Sequence, residues 1–295
     1  LELYTRQEEI KMSILENKID FVVLISVNNA NPNGDPLNGN RPRTTYTGLG
    51  EISDVCIKRK IRNRLQDFGE EIFVQSDDRK NDEYKSLSER AAGNIKEYDS
   101  SDDYAKKACE KWIDVRSFGQ VFAFKAPKGE KKDGVSVGVR GPVSVHHAVS
   151  VSPVDINSMQ ITKSVNGDPS EKRSSDTMGM KHMVEFGIYK IKGSINVQLA
   201  EKTGFTEEDA DKIKECLRTL FINDSSSARP DGSMEVLRIY WWRHNNKIGQ
   251  YSSAKVHRSV HVKTKDGIVY PNSIDDYEIT VDSLEGIEPE IIYGI

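Results

Sequence analysis

The stretch Ser26–Arg43, SVNNANPNGDPLNGNRPR, follows an apolar run directly and sets amides, glycines and prolines beside Arg41 and Arg43. Backbone N–H groups and side-chain amides in such a loop approach a phosphate closely. Asn31, Asn33 and Asn38 are therefore candidates to shape or contact a phosphate loop, with Arg41 adding charge. Behind the loop, Lys58, Arg59, Lys60, Arg62 and Arg64 follow with only Glu51 and Asp54 to balance them. Lys58, Lys60 and Arg64 are the candidates to neutralise phosphates, and Arg59 and Arg62 could do so equally well. Catalytic chemistry is thinner. His146 and His147 are adjacent, so on a strand they would face opposite sides. His182, near Lys181 and Tyr189, belongs to the set of groups that a metal-free ribonuclease needs beside a 2′-hydroxyl. Asn31, Asn33 and Asp35 alternate as in a calcium loop, but that run has one carboxylate and no closing Glu. Cys56, Cys109 and Cys216 are widely spaced and suggest neither a disulfide framework nor a zinc site. No catalytic residue, metal or cofactor is expected.

The formal charge of −4 over 295 residues hides this segregation, because Asp67–Asp114 and the segment after Lys265 are acid-rich. A polyanion would be gripped by particular faces rather than by a basic body. No apolar run approaches the ~20 residues of a membrane-spanning helix, and no basic-then-apolar leader is evident, which fits a cytoplasmic home. MSILENKIDF, from Met12, reads as a natural start, so residues 1–11 are expected to be a leader or added residues.

The elements that must position these residues are legible from periodicity. Phe21–Val27 is a short apolar run bounded by turn signals, and it predicts a central strand. SDVCIKRKIRNRLQDF predicts an amphipathic helix capped by Ser53 or Asp54, with Val55, Ile61, Leu65 and Phe68 on the apolar face and the cations opposite. Asp67–Asp114 is polar and predicts a helical insertion with a mobile middle, outside the core. Val135–Val151 alternates valine with polar residues and breaks at Gly141-Pro142, as a bent hairpin would. Ser152–Val184 loses the alternation and reads as a long flexible excursion unusually rich in methionine (Met159, Met178, Met180, Met183), after which FGIYKIKGSINVQL resumes it. GFTEEDADKIKECLRTLF predicts a helix with Thr206 as N-cap and Ile213, Leu217, Leu220 and Phe221 on one face. MEVLRIYWW and KVHRSVHV predict further strands. Stripped of insertions, the order is strand, helix, strand, strand, helix, strand: an α+β fold of the ferredoxin-like or RNA-recognition (RRM) type, an antiparallel sheet with two helices.

The motifs NPNGDP and GN.PR, then SDVCIKRKIRN, DVRSFGQVF, VRGPVSV, MQITKSV, SSDTMGMKHMVEFGIY and LAEKTGFTEEDADKI, occur in order over about Ile19–His261. In these the chain resembles the backbone subunit of type I CRISPR surveillance (Cascade) complexes, the seventh CRISPR-associated protein family, most closely the subtype I-C form. The resemblance implies a non-catalytic subunit shaped like a hand. An RRM-type palm (12–66, 115–151 and 185–263) carries a helical finger (67–114) and a thumb (152–184), and an acidic C-terminal tail occupies 264–295. It implies that copies polymerise head to tail along a guide RNA (crRNA), presenting it to a target DNA strand together with other Cascade subunits, a guide-end cap or processing subunit and a large subunit. From the motifs, Ser117, Phe118, Gly119, Arg140, Gln160, Thr162, Lys163, Met178 and Lys181 join the expected RNA-binding set. The competing readings are a CRISPR endoribonuclease that trims precursor guide RNA through His182 or His147, and an α+β domain whose basic helix binds another protein.

Overall fold

The computed structural model describes residues 13–124, 134–162 and 178–295. Chain order begins with β1 (Ile19–Ala30), the short β2 (Gly34–Asp35) and β3 (Arg41–Pro42), and β4 (Leu49–Ile52). Helices α1 (Asp54–Asp67), α2 (Leu87–Asn94), α3 (Ser101–Lys111) and α4 (Ile113–Phe118) follow. Next come β5 (Gly119–Phe124), β6 (Val135–Arg140), β7 (Val143–Val145), β8 (Ala148–Pro153), β9 (Ile156–Thr162) and the long β10 (Met178–Ile195). Two helices, α5 (Val197–Thr203) and α6 (Glu207–Arg218), lead to β11 (Met234–Arg243). The chain closes with α7 (Ser253–Arg258), β12 (Val260–Thr264), β13 (Tyr277–Val281) and β14 (Glu290–Ile292).

The fold is mixed α+β around one large antiparallel sheet ordered β14-β11-β1-β10-β8-β4, with β7 and β9 also paired to β10. Strand β1 lies in its middle and is buried on both faces, which is why it reads as an unbroken apolar run rather than an alternation. Phe21, Val23, Ile25 and Val27 pack against Ile57, Ile61 and Leu65 of α1 and Ala210, Ile213 and Leu217 of α6. Val22 and Leu24 turn the other way, onto Tyr240, Trp242, Val256, Val260, Leu284 and Ile287. Gly193 of β10 sits opposite Phe21, and a Cβ there would lie 2.1 Å from the Phe21 ring. Only glycine admits that ring.

Four expectations change. KVHRSVHV is not one strand: its first half forms the helix α7 and only its second half enters β12. The insertion after α1 has a core of its own: Phe73, Ile95, Tyr104, Cys109 and Trp112 pack with Phe122 of β5 and Val137 of β6. Its aromatic residues are dispersed among charges, so local composition hid a cluster that only folding assembles. β5 and β6 pair with each other and pack on this cluster rather than in the main sheet, where a palm running through 115–151 would place them. The acidic C-terminal tail, 264–295, carries strands of its own: β13 pairs with β12 and β14 extends the main sheet through β11. The helix at Glu207–Arg218 forms as expected, with Thr206 and Asp209 closing a capping box.

Asp20, fully buried at the start of β1, accepts from His244 Nε2 at 2.8 Å and pairs with Lys18 at 3.0 Å. Burial pushes its carboxyl upward, but hydrogen bonds from His244, Ser253 and Lys18 outweigh that and hold it below the ordinary value. A carboxyl depressed on folding stabilises fully above its unfolded pKa, roughly 3.9, and that contribution is lost as pH falls through the folded value. Denaturant titrations of wild type and Asp20→Asn should therefore differ most at neutral pH, with the gap closing below about pH 4.

Candidate nucleic-acid interface

The asparagines of the first loop serve its geometry. Asn29, Gly39 and Asn40 all adopt left-handed backbone (φ 49°, 57° and 58°), the conformation that asparagine and glycine tolerate best. Asp35 caps the single turn Pro36–Asn38 by accepting from Leu37 N. Asn31 is buried and donates Nδ2–H to Asn40 O at 2.6 Å, while Asn33 Oδ1 accepts from Ser53 N at 2.9 Å. These two side-chain amides fold the loop and fasten it to the start of α1, so the expected cradle of outward amides does not form from them. Asn38 stays exposed at the tip.

On α1 the expected faces are corrected. Its buried stripe is Ile57, Lys60, Ile61, Arg64 and Leu65, whereas Val55 and Phe68 are 70% and 40% exposed. Lys60 forms an ion pair with Asp224, and burial pushes its ammonium pKa down against that attraction. Arg64 donates to Thr219 Oγ1 and pairs with Asp67. Arg62 Nε reaches the buried Asp114 at 2.8 Å, and Arg59 donates to Val74 O. A charged residue one step from a core position is carried inward by the 3.6-residue period, and each of these cations is met there by a partner. Lys58 is half-buried and shares a salt bridge with Asp54, and its Nζ is 6.0 Å from the Phe118 ring centre.

Two other motifs meet beside it. Gly119 pairs with Arg140 across β5 and β6, at φ 80°, and a Cβ on it would lie 2.3 Å from Val139 O. Ser117 is fully buried, so Ser117 and Gly119 are scaffold. Phe118 lies half-buried with the Arg62 guanidinium 5.1 Å from its ring centre, and Arg140 is exposed.

The excursion is an ordered ribbon at its base. β9 pairs with the first part of β10 from Ile156↔Val184 to Thr162↔Met178. Opposed residues of an antiparallel pair share a face. Ser158, Gln160, Thr162, Met178, Met180 and His182 therefore occupy one face, and Met159, Ile161, Lys181 and Met183 the other. Arg41 braces the first face to the loop, its Nη1 lying 3.1 Å from Ser158 Oγ and 3.3 Å from His182 Nδ1. Met178 and Met180 are each 55% exposed. Lys163 lies outside the described residues. The imagined catalytic trio is dispersed. Lys181 and His182 point to opposite faces, and Tyr189, buried seven residues along the strand, is ~24 Å from His182 at ~3.4 Å per residue.

The braced face of the ribbon is thus joined through Arg41 to the first loop, and the loop through Asn33 to the start of α1, whose Lys58 lies 6.0 Å from the Phe118 ring centre; Arg140 pairs with the next residue, Gly119. Ser158 and Met180 belong to the braced face; Ser158 is not among the sequence candidates, and Met180 enters there only as one of the methionines of the excursion. Counting alternate positions back from His182 would have found Met180, but Ser158 needed the register. Such a surface, with the exposed Arg140, half-buried Arg41 and Lys58, backbone turns and apolar side chains, suits a flexible polyanion held without base-edge reading.

The family described as "CRISPR-associated protein Cas7" matches residues 17–282. A CRISPR-associated protein Cas7 of Haloferax volcanii is 26% identical over 219 residues, covering 69% of this chain. The match spans 64% of that relative, just under two thirds of its length. Among solved structures, a chain of "CRISPR RNA-guided surveillance complex, pre-nicking" aligns with TM-score 0.49 and 16% identity, covering 86% of this chain and 84% of that one. A chain of "CRISPR RNA-guided surveillance complex" aligns with TM-score 0.43 and 18% identity, covering 85% and 78%.

Lys60→Ala is expected to lower unfolding free energy by about 2 kcal/mol, less than the roughly 3–5 kcal/mol for stranding a buried charge, because Arg229 still pairs with Asp224. Urea titration measures it. Arg41→Ala should cost under about 1 kcal/mol yet speed amide hydrogen exchange at Ser158 and His182, since it unfastens only the base of the ribbon.

Proposed function

We infer, from the premise that this chain belongs to the CRISPR-associated protein Cas7 family, that it is a non-catalytic guide-RNA-binding subunit of a cytoplasmic Cascade complex, of subtype I-C by its motifs. Copies stack head to tail along the crRNA spacer and hold the guide open for pairing with target DNA, beside a guide-end subunit and a large subunit. The observation that carries this reading is the ribbon β9–β10, which projects exposed Met178 and Met180 from a base fastened to the first loop by Arg41. An element that extends beyond its own sheet supplies what cooperative coating requires, a contact outside the subunit's own footprint.

The order of β1, α1, β8, β10, α6 and β11, with β11-β1-β10-β8 adjacent in the sheet, supports an RRM-type palm. The sheet face that such folds use for stacking bases is here occupied around Val22 and Leu24 by α7 and the C-terminal strands. The guide therefore runs along the ribbon and loop edge. Lys58, Phe118, Arg140, Arg41, Asn38, Gln160, Thr162 and Met178 are the residues placed to meet it, while Asn31, Asn33, Ser117 and Gly119 shape the path. A guide of any sequence is accepted because these contacts address phosphates and base faces rather than base edges.

Purified protein should shift spacer-length RNA without cutting it when divalent metal is chelated. Replacing Lys58 and Arg140 together by alanine should reduce the log–log salt slope by about 1.4, at ~0.7 per phosphate of a single strand. A discrete cleavage product that disappears in His182→Ala would replace this reading with an endoribonuclease. Met178→Ala should leave the melting temperature unchanged while weakening cooperative coating of long RNA, read from binding isotherms and electron micrographs.

A further inference from the structure

On the sheet face away from α1, β10 turns Lys190 and Lys192 outward two residues apart, about 7 Å along a strand. They stand opposite Leu24 and Val22 of β1 and form the floor of an open trough of about 660 Å³. α7 and β12 wall it with His257, Arg258, His261 and Lys263, and His146 closes one side. Among the described residues no carboxylate lines it. Asp282 is held at the rim by His261, and Asp20 lies beneath, taken by His244 and Lys18 and 3.9 Å from His257 Nε2.

Lys190 donates to Val260 O, and His257 Nε2 lies 2.9 Å from Gly193 O, so both are fixed in place. Among the described residues, Lys192, Arg258 and Lys263 form no ion pair, with Glu278 opposite Lys263 on β13 as the one acid across from them on a paired strand. Two lysines side by side on a strand repel each other, and burial and that repulsion together push the Lys190 pKa down. The same groups are pre-assembled for an anion that returns the lost hydration and neutralises them. The shape narrows the choice. An open trough encloses no small molecule, and apart from imidazoles it has no ring on which a base could stack. The step between the two lysines is comparable to that between neighbouring phosphates of an extended strand.

We propose that this trough is a second nucleic-acid site, taking the phosphodiester backbone of a single strand on the sheet face opposite α1, apart from the loop and ribbon. It rests on the chain being a nucleic-acid-binding protein, but none of its residues belongs to the surface argued for the guide. It holds backbone only, so it is indifferent to sequence.

The test uses the full chain and two labelled probes of equal length, oligouridylate and oligothymidylate, titrated over a range of salt. The triple variant Lys192→Ala, Arg258→Ala and Lys263→Ala should bind at least one probe with a log–log slope reduced by about 2, three contacts at ~0.7 each. The probe that shows the loss identifies the strand as RNA or DNA. In wild-type protein, saturating probe should also slow acylation of the Lys192 amine several-fold, a measurement that stands even if the variant folds poorly. An unchanged slope in a folded variant, or an unprotected Lys192, overturns the site. If the slope falls for the Lys58/Arg140 variant but not for this one, only the trough is lost. If wild type binds neither probe, both readings fall.

Discussion

A central strand with no exposed face is the constraint on which the molecule is built. Every residue of β1 from Ile19 to Val27 is buried, so both faces of the sheet must be covered there. α1 and α6 cover one, and α7 with the C-terminal strands covers the other. At the ~25 cal/mol per Å² that burial of apolar surface contributes, leaving either side bare would forfeit several kcal/mol. Covering the second face around Val22 and Leu24 removes a flat surface on which this sheet could stack bases. The two lysines of β10 lie on that same face, at the floor of an open trough.

Charge in this chain is a fastener as often as a handle. Asp114, with no exposure, accepts from Phe73 N, Val74 N and Arg62 Nε, and so ties the aromatic cluster of the insertion to α1. Lys60 with Asp224, and Arg64 with Thr219, tie the same helix to the segment that follows α6. Buried groups of this kind are tolerated because each is hydrogen-bonded, and they fix how two packed bodies meet more than they add to stability. The basic helix that looks from its sequence like a phosphate-binding face is thus largely the internal seam of the protein. Even Lys58, beside Phe118, is half-buried and paired with Asp54.

The ribbon follows another rule. Pairing β9 with β10 in a single register sends Gln160, Thr162, Met178 and Met180 to the side braced by Arg41 and sends Lys181 to the other. Shifting the register by one residue would exchange the two sets. Arg41, through its contacts with Ser158 and His182, therefore sets which face of the ribbon leans toward the loop.

Local pattern by itself determined the regular elements. The apolar run of β1, the capping box at Thr206 and Asp209, the break at Gly141-Pro142 and the alternation of MEVLRIYWW each depend on neighbours within a few residues, and each appears where the pattern puts it. The ordered motifs likewise carried the family. Tertiary structure alone decided which charged side chains remain free. Whether Lys60 faces solvent or Asp224, 164 residues away, and whether Asn33 meets a ligand or Ser53 N, depends on partners brought close only by folding. The same holds for the core of the insertion, whose Phe73, Tyr104, Trp112 and Phe122 are too far apart to form a periodic signal. Hydrophobic periodicity is a local property of the chain, whereas the pairing of a buried polar group is a long-range one. That is why the elements could be read from the sequence, and why the division of the cations between seam and surface could not.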